Sequence, residues 1–437
     1  MSEAATNASL AARRKASIPR GISTAHSIFA DRAENSELWD VEGRRFIDFA
    51  SGIAVLNTGH RHSRVMDAAI GQTERLTHAA FQVTGYEPYV ALAERLNSIA
   101  PFDGEAKTLL LTTGAEAVEN AVKIARAATG RSGVVACMGG FHGRTLYSLG
   151  LTGKVRPYKE GFGPFPANIF HIPFPSVSLG IDASDALAAL ERLFRVEVPA
   201  NDVAAIIVEP VLGEGGYCAA DPVFLAAIRD LCSKHGIVMI ADEIQTGFAR
   251  TGRMFAVEHF GIEPDLVTVA KGLGGGFPLA GVIGRSTLMD AAGPGGLGGT
   301  FAGNPVSCRA ALAVLDVIAD EDLLARSSML GAQMRHHLES IKAEAPHPVI
   351  EEIRGLGAMV AFDIVEPGKP HRPDARATRL FVENALERGL ILLSCGMHGN
   401  TIRLMPALTL ADDVLKEAMA TIRDVHLAVL PDSDNRR

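Results

Sequence analysis

The chain has 437 residues, 47% of them hydrophobic and 21% charged, a composition that suits a globular protein with room for a large core. The formal net charge is −8 and the basic residues form no stripe, which argues against nucleic acid or an anionic membrane surface as a partner. Five scattered cysteines, none spaced as CxxC, argue against a disulfide framework or a metal site, and no apolar run reaches the roughly 20 residues that cross a bilayer.

Residues 1–20 lack an apolar signal core, and Arg13-Arg14-Lys15 reads as a solvated helix face; with free thiols, the expectation is a cytoplasmic protein. Leu38 to Asp48 reads as a hairpin turning at Glu42-Gly43. From Thr108 onward, short apolar runs alternate with helical patterns. The predicted strands are Thr108–Thr112, Gly133–Cys137, Val203–Glu209, Ile237–Ala241 and Leu266–Ala270; the helices between them include Ala115–Ala128 and Pro222–His235. These strands are continuously apolar, as expected of a sheet covered on both faces, so the fold class is α/β with a largely parallel sheet flanked by helices. After Asn304 come two long helices, strand-like segments at Gly357–Asp363 and Ile391–Leu393, and a terminal helix from about Ala411. The predicted division is an N-terminal segment of a small α+β domain over 1–60, a large domain over 61–327, and the rest of the small domain over 328–437. Asp432–Arg437 read as disordered.

Two strand ends carry the chemistry. One apolar run delivers Asp242, and another delivers Lys271 to the glycine-rich stretch Gly272–Phe277. Either residue alone is an ordinary strand end. Together they match a pyridoxal phosphate (PLP) site, because a lysine amine condenses with an aldehyde and a carboxylate keeps a pyridine nitrogen protonated. Thr112-Thr113-Gly114-Ala115-Glu116 joins a strand to a helix N-terminus, which serves either as a plain turn or as a phosphate dock. Phe141-His142-Gly143-Arg144 offers an aromatic ring for stacking and a guanidinium for a carboxylate. Glu214 lies between glycines in Gly213–Gly216, and Ile244 and Gln245 follow Asp242 closely. Thr300 precedes a helix start and reads either as its cap or as a site hydroxyl. Arg403 sits inside an apolar strand, where an arginine must be paired or functional. The GxGxxG at Gly293–Gly298 follows no strand and contains a proline, which removes a dinucleotide reading. His60, His62, His336 and His337 lack metal partners in sequence and read as surface histidines; Cys308 and Cys395 read as packing residues.

Taken together, these motifs resemble the class III, ornithine-type aminotransferases of fold type I from about Ile18 to about Val425. Ile28–Asn35, Gly52–His60, Glu119–Thr129, Pro294–Thr300 and Leu390–Gly396 are similar to the bacterial 4-aminobutyrate (GABA) subgroup. The resemblance implies that Lys271 carries PLP and shuttles a proton, while Asp242 holds the ring nitrogen. It also implies that Gly114 and Ala115 bind phosphate through backbone N–H groups, that Phe141 and Ile244 sandwich the ring, and that Gln245 approaches the ring hydroxyl. Ala115 stands where many relatives carry serine. Thr300 is implied to come from the other subunit of a homodimer. Arg403 is implied to take an α-carboxylate and to pair with Glu214 otherwise; Arg144 holds the carboxylate common to both substrates, with Ile53 and Gln82 lining the pocket. The implied reaction moves an amino group from GABA to 2-oxoglutarate by a ping-pong cycle, giving succinate semialdehyde and glutamate. 5-Aminovalerate, β-alanine and ornithine remain alternative donors, and a racemase or decarboxylase on the same fold is the alternative chemistry.

Overall fold

A computed structural model describes residues 5–344 and 349–429. At its centre is a seven-stranded sheet whose strands lie in the order Ala106–Leu111, Ala280–Arg285, Leu266–Val269, Val238–Asp242, Val203–Val208, Gly133–Cys137, Ile169–Ile172. All pairs are parallel except the two made by Ala280–Arg285, which runs against both of its neighbours. The unbroken apolar runs follow from burial on both faces. Val134, Ala136, Ala205 and Ile207 enter one apolar cluster, whereas Val135, Cys137, Ile206 and Val208 enter the other.

Helix boundaries obey their local chemistry. The helix Gly114–Thr129 begins with a capping box between Thr113 and Glu116 and ends at Gly130 with φ +69°. Pro222–His235 is capped by the Asp221 carboxylate, carries proline in its first turn and ends at Gly236. The helices Pro305–Asp320 and Leu323–Glu344 follow the large sheet.

The two ends of the chain meet in smaller sheets. Glu37–Asp40 and Arg45–Asp48 form the hairpin, and Leu390–Ile391 pairs in parallel with Arg45–Asp48. A second sheet has the order Ile350–Leu356, Met359–Ile364, Thr401–Leu404, Leu393–Cys395. One continuous apolar cluster joins Val267 and Val269 of the large sheet to Phe362 and Ile402 of this one. The last helix is Asp412–Val429; the expected disorder at Asp432–Arg437 lies outside the described residues. Among the described residues, no helix is long and apolar enough to cross a membrane.

Some readings need correction. Ile169–Ile172, Ala280–Arg285 and Ile350–Leu356 are strands that the sequence pattern did not announce. His60 and His62 are half-buried rather than at the surface, because each meets a carboxylate: Asp48 at 2.9 Å and Glu321 at 3.0 Å. The five cysteines are buried, and none of them forms a disulfide among the described residues.

Candidate active site

Parallel pairing of Val238–Asp242 with Leu266–Val269 sets Asp242 beside Thr268. That register accounts for the aspartate's anchorage. Its Oδ1 accepts from the Thr268 hydroxyl at 2.9 Å and from the Ile244 N–H at 3.2 Å, and its Oδ2 faces His142 Nδ1 at 2.7 Å. Asp242 and His142 are both buried. Burial alone would lower the imidazole's pKa, but the hydrogen bond and charge of Asp242 outweigh it and raise the pKa. His142 Nε2 and Gln245 Oε1 are buried side-chain atoms with no protein partner among the described residues.

Lys271 begins a tight turn directly after the strand Leu266–Val269, with φ at +44°. Glycine tolerates that region freely; a lysine there is strained, and such strain concentrates at functional sites. Burial draws the amine's pKa below the usual lysine value, and the nearby charge of Glu214 opposes this.

Lys271 and Asp242 line a single cavity of about 390 Å³, together with Gly114, Ala115, Phe141, His142, Glu209, Glu214, Ile244 and Gln245. The helix beginning at Gly114 presents its N-terminus here. Its cap occupies the Glu116 N–H, whereas the Gly114 and Ala115 N–H groups have no acceptor within the helix. A Cβ on Gly114 would stand 2.9 Å from Ile244 Cδ1, so close packing requires the glycine. The donor set fits PLP: N–H groups and a positive dipole end for a phosphate, an anchored carboxylate for a pyridinium, a lysine for an aldehyde, and apolar surfaces for a ring from the Phe141 aromatic and the branched Ile244 side chain.

On the cavity wall, Glu214 pairs with Arg403, and both side chains are largely buried. The pairing overcomes burial to hold the Glu214 carboxyl below its usual range, and it keeps Arg403 firmly cationic. Arg403 lies in the strand Thr401–Leu404, opposite Ala361 and Leu393. Tyr158 donates to the other Glu214 oxygen at 3.0 Å, and Arg144 lies over the same tyrosine's ring at 4.9 Å.

Gly114, Ala115, Phe141, Glu214, Asp242, Ile244, Gln245 and Lys271 thus share one cavity, and Arg403 joins them through Glu214. Ile53, Gln82, Arg144 and Thr300 do not line this chain's cavity; Arg144 lies beside it, over the Tyr158 ring. Ile53 is 44% exposed in a left-handed turn, at φ +65°. Gln82 donates to the Leu297 carbonyl, on the exposed stretch that leads to Thr300. Thr300 does not cap the following helix; the Asn304 side chain does. His142, Glu209 and Tyr158 are further residues of the site, to which the sequence assigned no role. Glu209 accepts from the Phe141 N–H at 2.8 Å and the Gly213 N–H at 2.7 Å, tying two site loops together, and burial lifts its pKa to about 7. A carboxylate at a strand end, four residues before Gly213, was the only sequence signal for it.

A mainly parallel sheet that brings a strained lysine and an anchored aspartate into one cavity defines the class of PLP-dependent fold type I transferases. The chain belongs to the class III aminotransferases: the family model "Aminotransferase class-III" matches residues 18–426. It is 52% identical to the 5-aminovalerate aminotransferase of Pseudomonas putida, over 96% of this chain and 98% of that one. It is 51% identical to the 4-aminobutyrate aminotransferase of Escherichia coli, over 95% and 97%. Among solved structures, the ornithine aminotransferase of Toxoplasma gondii, with PLP in partial occupancy at its active site, superposes with a TM-score of 0.85. That structure is 30% identical, covering 97% of this chain and 95% of its own. PLP is therefore the cofactor, and the enzyme transfers amino groups between amines and keto acids.

Proposed function

We propose that the enzyme transfers the amino group of GABA to 2-oxoglutarate, yielding succinate semialdehyde and glutamate in a ping-pong cycle. The observation that carries this reading is the Glu214–Arg403 ion pair in the cavity wall. GABA has one carboxylate, remote from its amine; glutamate has a second, beside its amine. A site for both must offer a cation to the second carboxylate and cover that cation when the charge is absent. Arg403 is the cation and Glu214 the cover, so exchanging partners never leaves a buried charge bare. Arg144 receives the carboxylate that both substrates share; Ile53 and Gln82, which stand outside this chain's own cavity, would border a pocket only where a second copy of the chain meets it.

PLP, when bound, supplies the electron sink for the carbon that loses its proton. The chain does the rest. The Gly114 and Ala115 N–H groups would hold its phosphate, Phe141 and Ile244 would hold its ring, and Gln245 would meet the ring hydroxyl. Asp242, fixed by Thr268 and His142, keeps the pyridine nitrogen protonated. Lys271 Nζ would anchor the cofactor and serve as the group that takes and returns the substrate's proton; its lowered pKa suits it to act as a base. The site is completed by a second copy of the chain. Phe301, 62% exposed, and its neighbour Thr300 would lie on the surface covered by the partner, from which Thr300 would reach the phosphate site of the other copy. The small domain comprises residues 1–60 and 328–437 around a large PLP-binding domain, and the enzyme works in the cytoplasm.

5-Aminovalerate, one methylene longer, is the second reading, favoured by the 52% identical relative of that name. Product analysis separates the two. Incubation of the holoenzyme with 2-oxoglutarate and equal GABA and 5-aminovalerate yields mainly succinate semialdehyde; mainly glutarate semialdehyde overturns the GABA assignment.

A further inference from the structure

Tyr158 makes three contacts that meet at the substrate end of the cavity. Its hydroxyl donates to Glu214 at 3.0 Å, on the carboxylate oxygen that Arg403 leaves free. Arg144 lies over its ring at 4.9 Å, and the Phe141 ring sits 5.0 Å away at 59°. Its segment is pinned on both sides: Lys154 donates to the Gly396 carbonyl and Lys159 to the Gly150 carbonyl. The Gly396 N–H in turn donates to the Glu214 carbonyl. The tyrosine is thus a fixed post, and Glu214 is the group that leans on it.

We propose that Tyr158 is a specificity-positioning residue, whose hydroxyl latches Glu214 over Arg403 while a monocarboxylate amine occupies the site. The inference rests on the gate described above. With both carboxylate oxygens held, one by Arg403 and one by Tyr158, the closed gate is favoured over one in which Glu214 swings away for an α-carboxylate. Burial keeps the phenol's pKa well above its ordinary value, so the hydroxyl stays a donor throughout the neutral range. The Arg144 guanidinium over the same ring ties the latch to the subsite for the shared carboxylate. Tyr158 therefore sets how the enzyme divides its binding between ω-amines and α-amino acids, without touching the reacting atoms.

The test is Tyr158→Phe, which removes the hydroxyl and keeps the ring. Each half-reaction is followed alone in the holoenzyme, through the cofactor's absorbance in a single turnover, with GABA, 5-aminovalerate or L-glutamate. One hydrogen bond to a charged group corresponds to about tenfold in an equilibrium, so the ω-amine to glutamate rate ratio falls about tenfold in the variant. In a Glu214→Ala background the same substitution leaves that ratio unmoved, as a double-mutant cycle requires of a residue that acts through Glu214. A Y158F ratio equal to wild type, or an equal shift without Glu214, overturns the latch while the functional reading stands. A wild-type enzyme that reacts with neither ω-amine overturns the functional reading, and the latch with it.

Discussion

Lys271 combines a left-handed backbone, a buried amine and a place at the mouth of the strand that neighbours Asp242. In its proposed role it is both anchor and proton carrier, so Lys271→Ala lowers turnover more than about 10³-fold while the protein stays folded. Steady-state assay and circular dichroism check this together. Glu214→Ser removes the cover from Arg403. The GABA half-reaction then slows at least about tenfold more than the glutamate half, since only the former needs the closed pair; equal losses in single-turnover measurements contradict the gate. Lys271 and Arg403 were legible in sequence because each is a polar group where an apolar run ends, or inside one, and Glu214 because it is a carboxylate set between glycines. Tyr158, Glu209 and the His142–Asp242 bond were not. His142 and Asp242 stand 100 positions apart, and Tyr158 and Glu214 stand 56 apart. No local pattern encodes such a meeting; it exists only once the sheet has set the loops side by side.

At the level of elements, the parallel core strands were readable because burial on both faces leaves them uniformly apolar. Ala280–Arg285 escaped notice because Gly281 and Gly284 break its apolar pattern, yet both are required. A Cβ at Gly284 would come within 2.3 Å of Leu266, and one at Gly281 within 2.9 Å of the Leu109 carbonyl. Ile350–Leu356 escaped because Glu351, Glu352 and Arg354 interrupt it, and their charges are half-buried. The helix Leu323–Glu344 depends on a similar close approach. A Cβ on Gly331 would lie 1.8 Å from the Gly357 carbonyl oxygen, and Gly357 itself sits at φ +52°. Gly331→Ala must push the helix off the turn that begins the strand Met359–Ile364, costing about 1–3 kcal/mol. Urea unfolding reads this as a lower midpoint with an unchanged slope. Nearby, the fully buried Arg250 donates to the Pro406 carbonyl at 2.7 Å and to Asn57 at 2.6 Å, joining three distant segments.

On the scale of the whole molecule, two properties depend on more than one region. Val83, Phe301 and Thr300 are exposed, and the segment of Thr300 and Phe301 is the one proposed to meet the second subunit. Phe301→Asp places a charge there and yields a monomer by sedimentation that loses PLP on gel filtration, because Thr300 no longer reaches the neighbouring site. Sequence alone gives no sign of which chain supplies a residue to which site; the resemblance supplied that expectation. The second property is stability against acid. His426 is fully buried in the core, neither ring nitrogen has a partner among the described residues, and burial lowers its pKa below 6.5. The unfolded chain therefore binds a proton below pH 6.5 before the native state does, and this group's contribution to stability falls as pH drops. His426→Leu is more stable than wild type, and the gap widens by up to about 1.4 kcal/mol from pH 7.5 to 5.5. Thermal melts across that range follow the difference.

Whether one site serves a remote-amine monocarboxylate is read in a single half-reaction. The purified holoenzyme is mixed with GABA in the absence of any keto acid, and the cofactor's spectrum is recorded. Conversion of the PLP absorbance to that of pyridoxamine phosphate, with release of succinate semialdehyde, is the predicted result. A spectrum that GABA leaves unchanged, while L-glutamate converts it, would contradict the claim.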